Sequence, residues 1–491
     1  MDKKQKYKNL LQPFPVRLRA NKSKGRFISS KTELEAGTTV LEEAPIAFTV
    51  FQQFADEHCA KCLERFRLKR DPTVTKADSH ILASLNSSRD AFERIVCQGC
   101  RNQTSYCSIE CQRQDSTHHN LICEILVELP GICGMHSCDY SLFRLILNVL
   151  VNLHFCDPNE LSSLQCVQDL LSHQQSMDPK WVDAVAKGAE DLQECVGKLF
   201  GVSQQSIVKL ACRINSNSHA IFDHTGVREI GVGMFPLVAM LNHSCMPNCA
   251  FVSGSSGKMV VRTLTHVQND EELCVSYVDL MLPTLFRQGK LLETKFFLCD
   301  CSRCRNDDSL LLDAPRCSQC LDCKMGLANN VYGCKGCGFT MSVDGYNRMI
   351  SSYQNRLDTA LDLQRIGQFS SSHEALGSLY DSCRKTLQKH HYVTHTVLIN
   401  LINISSKMLS IKDALELIRI GVGLVREKQR LSLLPHQSIE LADFLDTQAQ
   451  MCNILIEGAA EGLFNDVNDD LGREMRSCLD ESRRIRRIFY P

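Results

Sequence analysis

Apolar residues recur at spacings of three and four along much of the chain, which is the period of an amphipathic helix. The clearest stretch is Tyr140–Phe155. Its apolar side chains would share one helical face: Leu142, Leu145, Ile146, Val149 and Leu153. The stretch is shorter than the roughly 20 residues that a membrane-spanning helix needs, and Arg144 and Asn148 interrupt it. We therefore predict a helix in the protein core and no membrane span.

The part of the chain after Gly338 continues this helical spacing in several consecutive stretches. Helices of this length in succession favour an antiparallel array. No strict period of about 34 residues is visible, so the pattern indicates a helical array without a regular tetratricopeptide repeat. The predicted helices cover residues 373–390, 396–409, 412–429, 437–457 and 470–488.

Strand-like patterns occur near the N-terminus and again past the middle of the chain. The run Thr38–Val50 is rich in residues that favour strands, and Leu273–Tyr277 alternates with a period of two. Between these parts, residues 128–215 are mostly helical in pattern. The hydrophobic pattern as a whole predicts an α+β fold followed by an all-helical tail.

Composition narrows the class of protein. The chain has 491 residues, and its net charge of −1 provides no long-range attraction to nucleic acid or to a membrane. The unusual count is 27 cysteines. The first residues, Met1–Leu10, contain no apolar signal segment, so we expect an intracellular protein whose thiols are reduced. Under that expectation, metal binding explains the cysteines better than disulfide bonds do.

The cysteine spacing supports this interpretation. Four closely spaced pairs lie within residues 59–123, where thiols and one imidazole would suffice for two tetrahedral zinc sites. A single pair of this kind is a weak signal, but four pairs make a chance arrangement of buried cysteines a poor explanation. The ligands in this region would be Cys59, Cys62, Cys97, Cys100, Cys107, Cys111, His119 and Cys123.

Two further groups of cysteines lie later in the chain. One combines three adjacent thiols with a distant fourth: Cys245, Cys299, Cys301 and Cys304. The other has zinc-ribbon spacing: Cys317, Cys320, Cys334 and Cys337, with Cys323 close enough to compete as a ligand. Four protein ligands leave no position for a catalytic water, so we predict about four structural zinc ions. Cysteines outside the groups, such as Cys166 and Cys452, are expected to be buried as small hydrophobic residues.

The order of these features resembles the lysine methyltransferases that combine a SET domain with a MYND zinc finger. The most specific stretch is Asn242–Asn248, which reads NHSCMPN. Tyr277 follows within Glu272–Asp279, and the cysteines from Cys299 onward come next. The resemblance covers about residues 15–340 closely and the helical tail loosely.

The resemblance implies a specific architecture. A SET-domain β-fold would be split by a MYND zinc finger and by a helical insert. It would continue into a zinc-binding post-SET segment and end in an all-helical, tetratricopeptide-like domain. The implied ranges are 1–50 and 216–295 for the two SET parts, 51–127 for the finger, 128–215 for the insert, 296–340 for the post-SET and ribbon-like segment, and 341–491 for the tail.

The resemblance to a MYND finger rests on Tyr106-Cys107 and Cys111-Gln112, and it implies two zinc ions held in a cross-brace. One ion would be held by Cys59, Cys62, Cys107 and Cys111. The other would be held by Cys97, Cys100, His119 and Cys123. His118 is the neighbouring alternative, but only His119 has the family spacing to Cys123.

The family reaction is methyl transfer from S-adenosylmethionine to a lysine amine. Only the neutral amine is nucleophilic, and an apolar channel would lower its pKa from about 10.4 and align it with the methyl group. Tyr277 matches the catalytic tyrosine of the family. The cofactor-binding residues implied by the resemblance are Lys24, Gly25, Arg26, Asn217, Asn242, His243, Tyr277 and Phe297.

Simpler interpretations of the same residues remain open at this point. The stretch Lys24–Phe27 could be an ordinary basic turn. The stretch Asn242–Cys245 could be a polar turn with one metal ligand, and Tyr277 could be a cross-strand tyrosine without a catalytic role.

The sequence departs from the family pattern at the predicted channel. Many members carry a second channel tyrosine two residues before the position of Phe297, where this chain has Lys295. A cation there would remove an aromatic wall that attracts the target ammonium, and it would repel that ammonium. Phe296 would supply the wall if the alignment were shifted by one residue. Activity and the degree of methylation therefore depend on where Lys295 lies.

Two other departures affect the finger. Ser116 stands where MYND fingers often have a tryptophan, which weakens the case for binding proline-rich peptides. The segment 71–90 is polar and Ser-rich, and it predicts a loop at the tip of the finger.

The sequence thus predicts an S-adenosylmethionine-dependent protein-lysine methyltransferase acting on histones or other proteins. The alternative is a SET-fold scaffold with weak or no catalysis that regulates transcription or protein interactions. A DNA-binding zinc protein is disfavoured by the balanced charge. We expect a monomer in the cytoplasm and nucleus. The finger and the helical tail are its expected contacts to protein partners, and the tail would either wall the substrate cleft or only stabilise the fold.

Overall fold

The computed structural model describes residues 3–68, 92–155, 161–223, 228–254, 257–320, 325–460 and 469–490. The predicted loop 71–90 and the competing ligand Cys323 lie outside these ranges. Within them the chain forms the predicted α+β fold, with cysteine-rich modules and a helical tail.

The β-fold consists of several short strands in small sheets. In chain order these are β1 (Val16–Asn21), β2 (Gly25–Ser30), β3 (Thr39–Glu43), β4 (Ala47–Val50), β5 (Arg67–Leu68), β6 (Phe92–Glu93), β7 (Ile95–Val96), β8 (Ser105–Tyr106), β9 (Ser218–Phe222), β10 (Glu229–Met234), β11 (Asn242–His243), β12 (Cys249–Ser253), β13 (Met259–Thr263) and β14 (Cys274–Val275). Antiparallel sheets have the orders β1-β2, β4-β10-β9 and β12-β13-β3, whereas β11 and β14 pair in parallel.

Helices precede, interrupt and follow these strands. They are α1 (Lys3–Leu10), α2 (Ile109–Ile122), α3 (Ile125–His136), α4 (Tyr140–Phe155), α5 (Leu161–Asp169), α6 (Pro179–Phe200), α7 (Gln204–Asn217), α8 (Thr284–Lys295), α9 (Ser302–Arg305) and α10 (Ser309–Leu312). The strand β4 pairs with β10, which is far along the chain, so the finger and the helical insert are excursions from one β-fold.

The helix α4 has the predicted bounds and forms the centre of the N-terminal core. Its residues Phe143 and Leu147 are fully buried. The polar residues that interrupt the apolar stretch bind the neighbouring strand: Asn148 Nδ2 donates to the Phe48 carbonyl at 2.7 Å, and Asn152 Nδ2 donates to the Ile46 carbonyl at 2.5 Å. The prediction of a core helix is confirmed, and no described helix is long and apolar enough to cross a membrane.

The cysteine-rich module that contains β5–β8 and α2 is connected to this same helix. Tyr140 Oη donates to Gln103 Oε1 at 2.6 Å, and Arg144 donates to Thr104 Oγ1 at 3.2 Å. Arg144 is therefore a buried link between the module and the core, which explains a cation inside an apolar stretch.

The C-terminal part begins with a three-stranded ribbon, β15 (Met325–Ala328), β16 (Val331–Cys334) and β17 (Thr340–Ser342). Six helices follow: α11 (Val343–Arg365), α12 (Phe369–Thr386), α13 (Tyr392–Lys407), α14 (Ile411–Arg430), α15 (Ile439–Ala460) and α16 (Asp469–Phe489). The five predicted helices are all present, with ends displaced by a few residues. The helix α11 received no predicted range of its own, because tyrosines form much of its buried face.

The last helix returns to the β-fold. Arg262 on β13 donates to the Arg487 carbonyl on α16 at 3.1 Å. The buried face of α16, with Ile485 and Phe489, belongs to the same core as the ribbon. The tail is therefore packed onto the β-fold and forms one side of the region described next.

Candidate functional site

The parallel pairing of β11 with β14 builds the site. Asn242 is opposite Cys274 and His243 is opposite Val275, so the chain that leaves β14 passes directly beside His243. The backbone N–H of Tyr277 donates to His243 Nδ1 at 3.0 Å, and the two rings are 5.4 Å apart. Two stretches that are about 30 residues apart in the sequence thus meet at one point.

Tyr277 is partly buried at this meeting point, and its hydroxyl donates to the Leu241 carbonyl. Burial raises the pKa of Tyr277 well above its usual range. The hydroxyl is therefore protonated at neutral pH and acts as a hydrogen-bond donor, which fits a group that orients a reactant without removing a proton.

A polar rim lies next to Asn242. The Asn242 amide donates to Glu272 Oε1 at 3.0 Å, and Glu272 also forms an ion pair with Lys24. The hydrogen bond to Glu272 raises the pKa of Lys24. The sequence analysis did not single out Glu272, because its role depends on the approach of the turn at Lys24 to β14.

Two of the other predicted cofactor residues lie close to this rim or to His243. Gly25 has φ of +66°, a conformation that favours glycine, and a Cβ added there would meet nothing within 4 Å. Its backbone is therefore open to the close approach of a ligand. The Phe297 ring is 6.2 Å from the His243 ring.

Arg26 and Asn217 are placed differently. Arg26 alternates with Phe27 along β2 and points to the opposite face of the strand, where burial raises the pKa of Tyr7 and the charge of Arg26 opposes that rise. The Asn217 amide donates to the carbonyls of Leu171 and Arg213, both at 2.8 Å. Among the described contacts, no hydrogen bond joins either residue to the Asn242 rim, and a direct role in ligand binding stays a prediction for both.

Lys295 lies at the predicted channel position. Its Nζ is 5.6 Å from the centroid of the Tyr277 ring and donates to the Ser216 carbonyl at 2.7 Å. Phe296 instead stacks on His173, with 5.1 Å between ring centroids. The structure therefore places the amine of Lys295, and not the ring of Phe296, against Tyr277. Burial lowers the pKa of this amine.

A cavity of about 330 Å³ opens between the segment that begins at Asp279, two residues after Tyr277, and the helical tail. Asp279 and Met281 line one side of it, and His395 and Glu440 from the tail line the other. The tail thus helps to wall a concave surface that begins two residues after Tyr277 in the chain.

All of the predicted metal ligands fall into four groups, and in each group the ligand atoms lie within 4.8 Å of one another. Tetrahedral zinc with Zn–S bonds of about 2.3 Å requires sulfur atoms roughly 3.8 Å apart. The measured separations suit this geometry, since Cys62 and Cys107 are 3.5 Å apart and Cys97 and Cys123 are 3.7 Å apart. Four thiols, or three thiols and an imidazole, are typical structural zinc ligands, so these groups could hold four zinc ions.

The first two groups interleave along the chain as a cross-brace. Cys59 and Cys62 join Cys107 and Cys111, whereas the intervening Cys97 and Cys100 join His119 and Cys123. His119 Nε2 is 3.2 Å from Cys97 Sγ, and His118 instead contacts Phe155. The structure thus brings His119 to the metal group.

The third group links the site to the post-SET segment. Cys245 lies two residues after the end of the Asn242-His243 strand, and its sulfur is 3.4 Å from that of Cys304. Arg287, whose side chain is fully buried, donates to Cys245 Sγ at 3.2 Å and pairs with Asp308 at 2.9 Å. This buried cation would offset the negative charge of metal-bound thiolates. The sequence analysis missed Arg287, because nothing in its local pattern sets it apart from a surface arginine.

The fourth group closes the ribbon. Cys317 is 3.5 Å from Cys337, and Cys320 is 3.9 Å from Cys334. These four thiols would provide all four ligands of a tetrahedral zinc site.

These features define a SET-type domain: a split β-fold, a parallel pairing that seats an Asn-His strand beside a tyrosine, and a cysteine cluster that follows it. The sequence profile of the SET domain family matches residues 25–278, just over half of the chain. The chain therefore belongs to the SET domain family.

Similar curated proteins agree with this assignment. The chain is 24% identical over 307 residues to histone-lysine N-methyltransferase ASHR1 of Arabidopsis thaliana, covering 60% of this chain and 57% of that protein. It is 30% identical over 214 residues to N-lysine methyltransferase SMYD2 of Homo sapiens, covering 43% and 48%. For SMYD2 of Gallus gallus the identity is 28% over 210 residues. The chain thus spans about half the length of the curated relatives it matches.

Proposed function

We propose that this chain is an S-adenosylmethionine-dependent protein-lysine N-methyltransferase with structural zinc sites. The observation that carries the proposal is the β11–β14 pairing, which seats Asn242 and His243 beside Tyr277 within a SET domain. Curated proteins that are similar to the chain are named lysine methyltransferases.

The residues around the site fit the proposed cofactor. S-adenosylmethionine carries an adenine ring, an amino acid end and the reactive sulfonium methyl group, and it would supply that methyl group when bound. The Phe297 ring offers an aromatic face, and the backbone at Gly25 is open to close approach. Lys24 and Glu272 at the rim provide opposite charges for the carboxylate and the ammonium of the amino acid end.

The protein would contribute position and desolvation. The Tyr277 hydroxyl and the Leu241 carbonyl are held together at the end of the site. The Ser216 carbonyl accepts a hydrogen bond from Lys295, whose amine is 5.6 Å from the centroid of the Tyr277 ring. Oxygen atoms around an otherwise apolar space can hold an amine through its N–H groups, so that its lone pair is directed at the methyl donor.

The substrate would be a protein that presents a lysine, either a histone tail or another protein. The cavity lined by Asp279 and Glu440 offers this protein a concave surface formed in part by the segment that follows Tyr277, which supports the interpretation that the tail walls the substrate cleft. We propose that the cross-braced zinc module, as a MYND finger, and the tail also contact protein partners.

We further propose that the chain acts as a monomer and that it is located in the cytoplasm and nucleus. Light scattering would test the oligomeric state, and imaging of a fluorescent fusion would test the location.

The second candidate is a SET-fold scaffold with weak or no catalysis. The position of Lys295 favours it, because a cation against the Tyr277 ring occupies space and adds charge where a target ammonium would be attracted. Both candidates share the fold and the zinc sites, so only cofactor binding and methyl transfer separate them.

The test compares wild type with Tyr277→Phe, using labelled S-adenosylmethionine, histones and a protein extract. Loss of the hydroxyl should lower methyl transfer roughly a hundredfold, because a single oriented donor is lost, while cofactor binding measured by calorimetry should change little. Tyr380→Phe, at a buried tyrosine on α12 in the tail, is the matched control. Cofactor binding without transfer to any acceptor would favour the scaffold, and absence of cofactor binding would exclude the enzyme.

A further inference from the structure

We propose that Lys295 is itself a methyl acceptor, so that the protein methylates this residue within its own chain. The inference rests on the proposed methyltransferase activity and adds a modification site to it. Three observations support it. The Lys295 amine lies close to Tyr277, no carboxylate among the described residues forms an ion pair with it, and it donates a hydrogen bond to the Ser216 carbonyl.

The amine of Lys295 lies among the residues of the proposed transfer site. It is 5.6 Å from the centroid of the Tyr277 ring, and that ring is 5.4 Å from the ring of His243. His243 in turn is 6.2 Å from Phe297, the proposed adenine contact. The Lys295 amine and the proposed cofactor-binding residue His243 therefore lie close to the same side chain, Tyr277.

The contacts of the amine leave it reactive. Its hydrogen-bond acceptor is the Ser216 carbonyl, and within the described ranges no carboxylate forms an ion pair with it. The nearby side chains of His173 and His219 carry no negative charge. Burial lowers the pKa of each histidine, and the charge of Lys295 lowers it further. Removal of water from a cation without a counter-ion favours the neutral amine. A neutral amine that donates one N–H to a carbonyl keeps its lone pair for attack.

Other lysines near the site lack this combination. Lys24 is held in an ion pair by Glu272 and is half exposed. Lys290, one turn earlier on α8, is exposed to solvent. Lys428 is buried, but it belongs to the tail helix α14, and its Nζ is directed at the Met281 sulfur, 3.4 Å away. Among these lysines, the described contacts therefore assign the role of methyl acceptor to Lys295.

The reaction balances with the cofactor as the only co-reactant. The lone pair of Lys295 Nζ attacks the sulfonium methyl group, the N–C bond forms and the C–S bond breaks. The Lys295 ammonium releases one proton to water before the attack, and the products of the transfer are S-adenosylhomocysteine and a methylated ammonium. The methylated side chain keeps its contact with the Tyr277 ring, because a methylammonium is still attracted to an aromatic face.

The experiment incubates the purified full chain with S-adenosylmethionine that carries a deuterated methyl group, without any other acceptor. Peptide mass spectrometry should find one added methyl group on the peptide that contains Lys295. The rate per chain should not change when the protein is diluted roughly tenfold, because the acceptor is held at a fixed effective concentration. Cofactor binding is measured separately by calorimetry.

Three variants make the test specific. Lys295→Arg should remove the label, Lys290→Arg on the same helix should keep it, and Tyr277→Phe should slow it roughly a hundredfold. A chain that methylates an added protein but leaves Lys295 unmodified would refute this inference and retain the proposed function. Label that persists in Lys295→Arg would also refute it. A chain that binds no cofactor would overturn the proposed function itself.

Discussion

Glu43 shows how one buried residue can organise the strand that carries the site. Its carboxyl group accepts hydrogen bonds from the backbone N–H groups of Leu237 and Val238, at 3.0 and 2.9 Å. Leu237 and Val238 lie at the start of the turn Val238–Met240, and Asn242 follows two residues after this turn. Burial raises the pKa of Glu43 to about 8, although the two hydrogen bonds oppose that shift. The acid therefore takes up a proton near neutral pH while it holds this turn.

We predict that Glu43→Gln removes a pH dependence of stability. Because the pKa is raised in the folded protein, Glu43 binds its proton more tightly there than in the unfolded chain. Its contribution is complete below the pKa of the unfolded state and is lost as the pH rises toward 8. Glutamine cannot titrate, so the stability of wild type relative to the variant should fall between pH values of about 5 and 8.

Urea unfolding of both proteins across this range would measure the difference. The exposed neighbour Glu42 provides the control, because Glu42→Gln should follow the wild-type curve. Parallel curves for wild type and Glu43→Gln would contradict the prediction.

At the scale of one element, α8 connects a metal group to the site. Near its start Arg287 reaches Cys245 and Asp308, and at its end Lys295 reaches Tyr277. The helix ends where Phe296 adopts a left-handed conformation with φ of +62°, which turns the chain toward Phe297 and the cysteines that follow. A change at the zinc group can therefore shift the residues around Tyr277.

We predict that Arg287→Ala destabilises the protein by about 3–5 kcal/mol, because it removes one member of a buried ionic network. It should also weaken zinc binding at the Cys245 group by roughly 10–100-fold, since a group that orients and neutralises the ligands is lost. Thermal unfolding and competition with a zinc chelator would measure the two effects. The exposed Arg305 is the matched control, and Arg305→Ala should leave both values close to wild type. An unchanged zinc affinity in Arg287→Ala would show that the arginine acts only in packing.

At the scale of the whole molecule, the metal groups lie where separate parts of the chain join. The group at Cys245 fastens the post-SET cysteines to the β-fold, and the ribbon group places Cys317 and Cys334 in the core that contains the tail helices. The cross-braced pair holds together the short strands of the finger, whose own buried cluster is small. Zinc would thus supply stability where the apolar core is thin.

We predict about four zinc ions per chain by elemental analysis, and about three in Cys320→Ser, because a structural site needs all four of its ligands. Cys195→Ser removes a thiol outside the metal groups and should retain the wild-type content. Chelation of all zinc should abolish cofactor binding, since Cys245 lies only two residues after His243. A wild-type content near two would show that the groups at Cys245 and in the ribbon do not bind zinc.

The limits of prediction from the sequence follow from the range of each interaction. The helix α4 and the cysteine pairs were predicted because their signals repeat within a few residues. Glu272 and Arg287 were missed, because a carboxylate or guanidinium acquires its role only from distant partners. The helix α11 was not delimited, because its buried tyrosines resemble surface residues in the pattern.

The sequence by itself determined the class of fold and the grouping of the cysteines and of His119 that could hold metal ions. Apolar periodicity and ligand spacing are local properties, and an uncommon motif such as NHSCMPN retains its meaning without coordinates. Only the tertiary structure decided that β11 and β14 pair in parallel and that Lys295, instead of Phe296, faces Tyr277. The pairing depends on how distant segments of the chain come together, and the position of Lys295 depends on the conformation of Phe296 at the end of α8. No local sequence pattern encodes either.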